Sequence, residues 1–198
     1  MVPVNFKGLF DAVEEQAIDL FYANPGVYSC VGVEKGAQPL VTITSRLTVR
    51  GHTYDLDVFG GVMFARADND DINGVKDLHD KVIGAGAISM IMAAQLQFYE
   101  MEVAGLSYVM DPKQVVFTGN QDDVVNGVLN GEFDAGFVRT DQIERTTDAY
   151  GNAINPEVFK VIEPKIYVLD DGNLFPFLHS TDIYPEVREL MWIGFKVL

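Results

Sequence analysis

The sequence predicts a mixed α/β protein in two lobes, built on mostly parallel sheets with crossover helices. Three observations carry this. Between residues 81 and 138, short apolar runs alternate with amphipathic segments, the pattern of strands joined through helices in a parallel sheet. The stretch 12–21 (AVEEQAIDLF) is echoed at 127–137 (GVLNGEFDAGF), each reading as helix, short turn, acidic residue and apolar strand, as two related lobes would give. The 198 residues are 48% hydrophobic and 22% charged, an ordinary globular balance able to bury a sizeable core.

The elements follow in order. Residues 6–16 read as a helix, because Phe6, Leu9, Phe10 and Val13 recur at helical spacing behind a capping Asn5. Residues 17–23 form a short apolar run stopped by Asn24-Pro25-Gly26, a buried strand ending in a turn. A second helix runs from 27 to 35. Strands are expected at 39–45 and 58–67, with 46–57 a polar link between them. Strand 81–85 leads to helix 89–103. Strand 114–117 ends in Thr118-Gly119-Asn120-Gln121 and leads to helix 122–130, with Val124, Val125, Val128 and Leu129 inward; strand 133–138 follows. After a polar stretch at 146–156, strands are expected at 159–162, 165–169 and 175–178. A last helix starts near Pro185 and carries Leu190, Met191 and Ile193. The lobes are expected at 1–60, at 61–165, and in a return segment at 166–198.

Composition excludes some partners. The net charge of −15 repels polyphosphate backbones and anionic membrane surfaces, so nucleic acid is not expected. No run of about 18 apolar residues could span a bilayer, and the N-terminus MVPVNFKGLFDAVEE does not read as a signal peptide. Cys30 is the single cysteine, so it forms no internal disulfide. His52, His79 and His179 lie far apart without metal-ligand spacing, and neither metal nor cofactor is expected.

In a sheet of this kind, ligands collect where strands end and helices begin. Two helix starts, at 87–90 and 120–123, would offer unsatisfied N–H groups and a partial positive charge. Ser89, Met90, Asn120 and Gln121 belong to them. Asp122 and Asp123 favour the second helix start themselves and compete there with an anion. Arg139 ends a strand at the same edge and could grip a carboxylate or pair with Asp141. Gly60-Gly61 suits a hinge or a close ligand contact. Asn24, Tyr28, His179, Ser180 and Thr181 would face the site from the first lobe. Each has a plainer role beside this one: Asn24-Pro25-Gly26 as a turn, Tyr28 as core, Ser89 and Asn120 as caps, His179 as an ordinary surface or core histidine.

Four blocks in order resemble the phosphate/phosphonate-type periplasmic solute-binding proteins and their sensor-domain relatives. They are IDLFYANPGVYSC (18–30), GGVMFARAD with VKDLHDK (60–81), VFTGNQDDVVNGVLNGEFDAGFVRTDQIE (116–144) and FPFLHSTDIYPE (175–186). In the phosphonate binders a Ser-Thr-Ser run holds the phosphonate oxygens. The matching stretch here is Gly86-Ala87-Ile88-Ser89-Met90, with Ser89 as its hydroxyl. The resemblance implies a two-lobed type II periplasmic-binding fold with the first lobe trimmed, and a small oxyanion-like solute held as the lobes close. It also implies a transporter permease or a fused signalling domain as partner, in the periplasm or outside the cell. An enzyme on the same fold, a lyase or hydrolase, is the alternative. Its single Cys–His candidate is Cys30 with His179.

Overall fold

The computed structural model describes residues 6–23, 25–41, 45–49, 52–56, 60–163 and 193–196. The strands expected at 165–169 and 175–178, and the start of the helix near Pro185, lie outside the described residues. The chain divides into two compact units: Met1–Val58 with Glu186–Leu198, and Phe59–Pro185.

In the first unit, α1 (Phe6–Glu14) leads to strand β1 (Leu20–Tyr22), then α2 (Pro25–Lys35) and β2 (Ala37–Val41). Helical spacing places Leu9 and Val13 on one face of α1, where they meet Val27 and Val31 of α2 over Phe21, Ala23 and Ala37. Val13 and Val31 are almost fully buried, and each such side chain contributes about 1.5–3 kcal/mol. Period-2 alternation turns Phe21 inward and leaves Leu20 and Tyr22 outward. A last strand, β10 (Ile193–Lys196), pairs antiparallel with both β1 and β2 and lies between them. The helix expected to carry Ile193 is therefore replaced by a strand there: the run Ile193-Gly194-Phe195 has strand alternation, and its backbone groups complete the ladder of two strands that would otherwise lack a neighbour.

The polar link expected at 46–57 is instead a hairpin, β3 (Ser45–Val49) and β4 (His52–Leu56), in register from Ser45 opposite Leu56 to Val49 opposite His52. The signal was the alternation Leu47, Val49 and Tyr54, Leu56 on either side of Arg50-Gly51. The charges of Arg46, Arg50 and Asp55 obscured it.

The second unit is a five-stranded sheet ordered β7-β6-β8-β5-β9: β5 (Gly61–Arg66), β6 (Val82–Ala85), β7 (Gln114–Phe117), β8 (Ala135–Arg139) and β9 (Phe159–Glu163). β6 pairs parallel with β7 and β8, whereas β5 runs antiparallel to β8 and β9. Four strands thus point one way and β5 the other. Helix α3 (Gln95–Val103) connects β6 to β7, and α4 (Gln121–Asn130) connects β7 to β8. Along β5, Met63 and Ala65 join Ala135, Phe137, Phe98 and Met101 on the α3 side. Val62 and Phe64 join Val138, Val124, Val125 and Val128 on the α4 side. Burial on both faces is why Val62–Ala65 and Ala135–Val138 read as unbroken apolar runs. A short helix α5 (Gln142–Arg145) follows β8 and adds Ile143 to the α4 side.

Candidate functional site

Strand directions bring the chemistry-bearing loops of the second unit to one edge. β6, β7, β8 and β9 all end there, and β5 starts there, with Gly61 opposite Arg139 and Met63 opposite Glu163. Residues 60–61, 86–90, 118–121 and 139–141 therefore gather at the carboxyl ends of the parallel strands, the usual ligand edge of an α/β sheet.

The loop after β6 departs from expectation. The helix begins at Gln95, after a short 3₁₀ turn at Ile91–Ala93. Ala94, at φ −164° and ψ −60°, breaks the path between the two. The Met90 N–H donates to Ala87 O (2.8 Å), the Gln95 N–H to Met90 O (3.2 Å) and the Gly86 N–H to Ala93 O (3.0 Å). Ser89 thus sits in an exposed turn rather than at a helix start. Met90 folds back: a Cβ placed on Gly86 would lie 2.8 Å from the Met90 sulfur and 3.4 Å from Gln121 Cγ. Met90 and Gln121 accordingly both lie against Gly86.

The second helix start is as expected. Asn120 caps α4, its side-chain oxygen accepting the Asp122 N–H at 3.1 Å. The turn before it is tied to the β6 loop, with the Thr118 N–H donating to Ala85 O (3.0 Å) and the Gly119 N–H to Gly86 O (2.7 Å). Asn120→Ala is expected to lower stability by about 1 kcal/mol, measured by denaturant unfolding, because the cap is lost. Asp122 turns away from the edge: Gln142 Nε2 donates to its Oδ1 at 2.8 Å, and Thr146 Oγ1 lies 2.8 Å from the same oxygen. Its Oδ1 is thereby directed to Gln142 and Thr146 rather than to its own helix start.

Gln121 crosses to β8, its Oε1 accepting the Arg139 N–H at 2.8 Å. The Arg139 Nε lies 3.3 Å from Asp141 Oδ1, and Arg145 Nε lies 2.7 Å from Asp141 Oδ2. Asp141 is fully buried and sits at φ +67°, in the left-handed region. Burial holds its carboxyl above the usual range, with Arg139 and Arg145 pulling against the shift. Arg145 carried no sequence signal beyond its i,i+4 spacing from Asp141.

Gly61 does not sit at a positive φ. The Gly60 N–H donates to Thr140 Oγ1 (3.1 Å), and the Thr140 N–H returns to Gly60 O (2.9 Å). Gly61 is small for a steric reason: a Cβ there would lie 2.5 Å from Gln97 Nε2. The two hydrogens of that buried amide are shared among Val138 O and Met92 O, both at 3.0 Å, and Val62 O at 3.3 Å. Gln97 stitches α3 to β5 and β8. The signal for it was a polar residue at a core position, between Leu96 and Phe98.

In the first unit Tyr28 is half-buried, its hydroxyl 3.5 Å from Ala37 O, and Cys30 is exposed on α2. Asn24, His179, Ser180 and Thr181 lie outside the described residues. Among the described residues, no group of three or more His, Cys, Asp or Glu could hold a metal ion, and no helix is long and apolar enough to cross a membrane.

Comparison with known proteins agrees with this architecture. The phosphate-import protein PhnD of Mycolicibacterium smegmatis is 26% identical over 151 residues, which cover 72% of this chain and 44% of that protein. The binding-protein component of an ABC phosphonate transporter from Pseudomonas aeruginosa superposes with a TM-score of 0.62 at 13% identity, covering 82% of this chain and 52% of that one. PhnD1 of Prochlorococcus marinus, solved in complex with methylphosphonate, gives 0.60 at 16% identity, covering 82% and 58%. The chain thus spans about half the length of these relatives. The family model described as "ABC transporter, phosphonate, periplasmic substrate-binding protein" matches residues 1–190. With that match over nearly its whole length, this chain belongs to the family of periplasmic substrate-binding proteins of ABC phosphonate transporters.

Proposed function

We propose that the chain binds a small oxyanion-like solute, related to phosphate or phosphonate, at the edge where β6, β7 and β8 end. It would act without chemistry, as part of a transporter's solute-binding protein or of a signalling sensor, in the periplasm or outside the cell. The observation that supports this most is the gathering of Gly60, Ser89, Met90, Asn120, Gln121 and Arg139 at that one edge by four strands of one sheet. Asn24, Tyr28, His179, Ser180 and Thr181 complete the proposed set. The solute-bound state is what a permease or fused signalling domain would read, populated through the solute's preference for it.

A thermal-shift screen tests this. The panel holds phosphate, phosphite, methylphosphonate, sulfur oxyanions, carboxylates and amines. At least one oxyanion is expected to raise the melting temperature in a concentration-dependent way, with about 2.7 kcal/mol of added stability at a hundred times its Kd. A response to amines alone, to none of the panel, or turnover of the hit in a rate assay would contradict the proposal.

A further inference from the structure

The loop that follows β6 has three consecutive carbonyls, each held by a donor. Gly86 O accepts the Gly119 N–H at 2.7 Å, and Ala87 O accepts the Met90 N–H at 2.8 Å. Ile88 O accepts Nε2 of Gln95 at 2.9 Å. Across a trans peptide, the C=O of one residue and the N–H of the next point in opposite directions. The N–H groups of Ala87, Ile88 and Ser89 are therefore turned away from these three donors. Among the described residues no acceptor meets them. Successive N–H groups of this kind suit an anion. Two of the three peptides are fixed by main-chain bonds. The third, between Ile88 and Ser89, is fixed by a side chain. It is also the peptide with a choice of orientation. The Met90-to-Ala87 bond closes residues 87–90 into a β-turn whose central peptide is 88–89. Type I and type II turns differ by a flip of that peptide, which reverses the N–H of the second central residue. Type II would put Ser89 at positive φ, and neither Ile88 nor Ser89 has one, so the turn is of the type I orientation. The Cβ of Ser89 resists the flip sterically, and the Gln95 bond resists it by holding the carbonyl.

We infer that Gln95 is a positioning residue for the solute: by holding Ile88 O it keeps the Ser89 N–H turned away from α3, where that N–H donates to an anionic oxygen. The inference rests on the proposed solute-binding function and assigns it a mode of recognition. The anion is met by the main-chain N–H groups of Ala87, Ile88 and Ser89, and the first residue of α3 sets the direction of the last of them. Gln95 also ties the end of the turn, its own N–H donating to Met90 O at 3.2 Å. That main-chain bond survives any change of side chain, so the side-chain bond can be tested by itself. Gln95 is exposed, and methionine matches glutamine in length and in helix propensity, so Gln95→Met removes the donor without burdening the fold.

The test is isothermal titration of the 198-residue chain with methylphosphonate, inorganic phosphate, ethanesulfonate and acetate. Gln95→Met is expected to bind the strongest wild-type probe about threefold more weakly, the low end for an exposed hydrogen bond, with its urea unfolding midpoint unchanged. A second pair of backgrounds separates positioning from direct contact. Ser89→Ala and Ser89→Gly both remove the hydroxyl, but only glycine lets the central peptide flip at no steric cost. Gln95→Met is therefore expected to cost about threefold in the alanine background and about tenfold in the glycine background. A direct contact between the Gln95 side chain and the solute would cost the same in both. Equal losses would thus overturn the positioning role. Wild type that binds a probe while Gln95→Met binds it as tightly would overturn the inference and leave the proposed function standing. Failure of wild type to bind any of the four anions would overturn the proposed function, and this inference with it.

Discussion

Alanine in place of Gly136 is expected to destabilise the second unit by about 3 kcal/mol, at the upper end of the range for overpacking a core. Gly136 lies in β8, between its neighbours β6 and β5. A Cβ there would lie 2.5 Å from Phe64 Cε1, 2.6 Å from Phe64 Cζ and 2.9 Å from Val128 Cγ2. Phe64 and Val128 have no accessible surface. Phe64 is further held edge-on to Phe159, with ring centroids 5.2 Å apart. The ring has no open space to move into, so the strand must shift or the ring must leave its rotamer. Removing the obstacle should recover part of the loss. The double variant Gly136→Ala/Phe64→Leu is expected to be less destabilised than the sum of its single changes, as urea unfolding of the four chains would measure. Strict additivity would mean that the ring is not what excludes the methyl group.

Asp141→Ala is expected to cost a similar amount, about 3 kcal/mol, for two separate reasons. The first is loss of a buried carboxylate shared by two guanidiniums. Breaking a fully buried pair costs about 3–5 kcal/mol, but Arg139 and Arg145 are 30% and 39% exposed and recover part of their hydration, which places this contribution near the lower end or below. The second is the backbone. Alanine at φ +67° carries about 1 kcal/mol that glycine would not; aspartate bears part of it already but tolerates this region better, so only the difference adds to the cost of the alanine variant. Asp141→Gly should therefore be more stable than Asp141→Ala by about 1 kcal/mol in the same unfolding measurement. If glycine were the worse of the two, backbone strain at this position would not be part of the cost.

Much of the second unit was legible in the sequence because both of its signals were strong. Apolar runs such as Val62–Ala65 and Ala135–Val138 are long enough to mark strands buried on two faces, and Asn120 is a good cap ahead of a helix with Val124, Val125 and Val128 at core spacing. The hairpin of β3 and β4 was hidden because charges at Arg46, Arg50 and Asp55 mask a period of two. β10 was misread as helix because a four-residue strand carries little pattern of its own; it exists through pairing with β1 and β2, a contact made across more than 150 positions of sequence. At the site, residue types placed Asn120, Gln121 and Arg139 at one edge correctly. They could not show that Asp122 turns to Gln142 and Thr146, that Ser89 lies in an exposed turn, or that Gly61 is small to admit Gln97. Those facts depend on which side chains meet in space, which residue order alone does not record.

The place where a small anion meets this chain decides between these expectations. A titration of the isotope-labelled protein with the strongest hit of the anion panel, followed through its backbone amide resonances, locates that place residue by residue. Saturable shifts are expected to concentrate at Gly60, Gly86–Met90, Thr118–Gln121 and Arg139–Asp141. Shifts that saturate elsewhere, for example around the far ends of β6 and β7 near Val82 and Gln114, with those residues unmoved, would contradict that expectation.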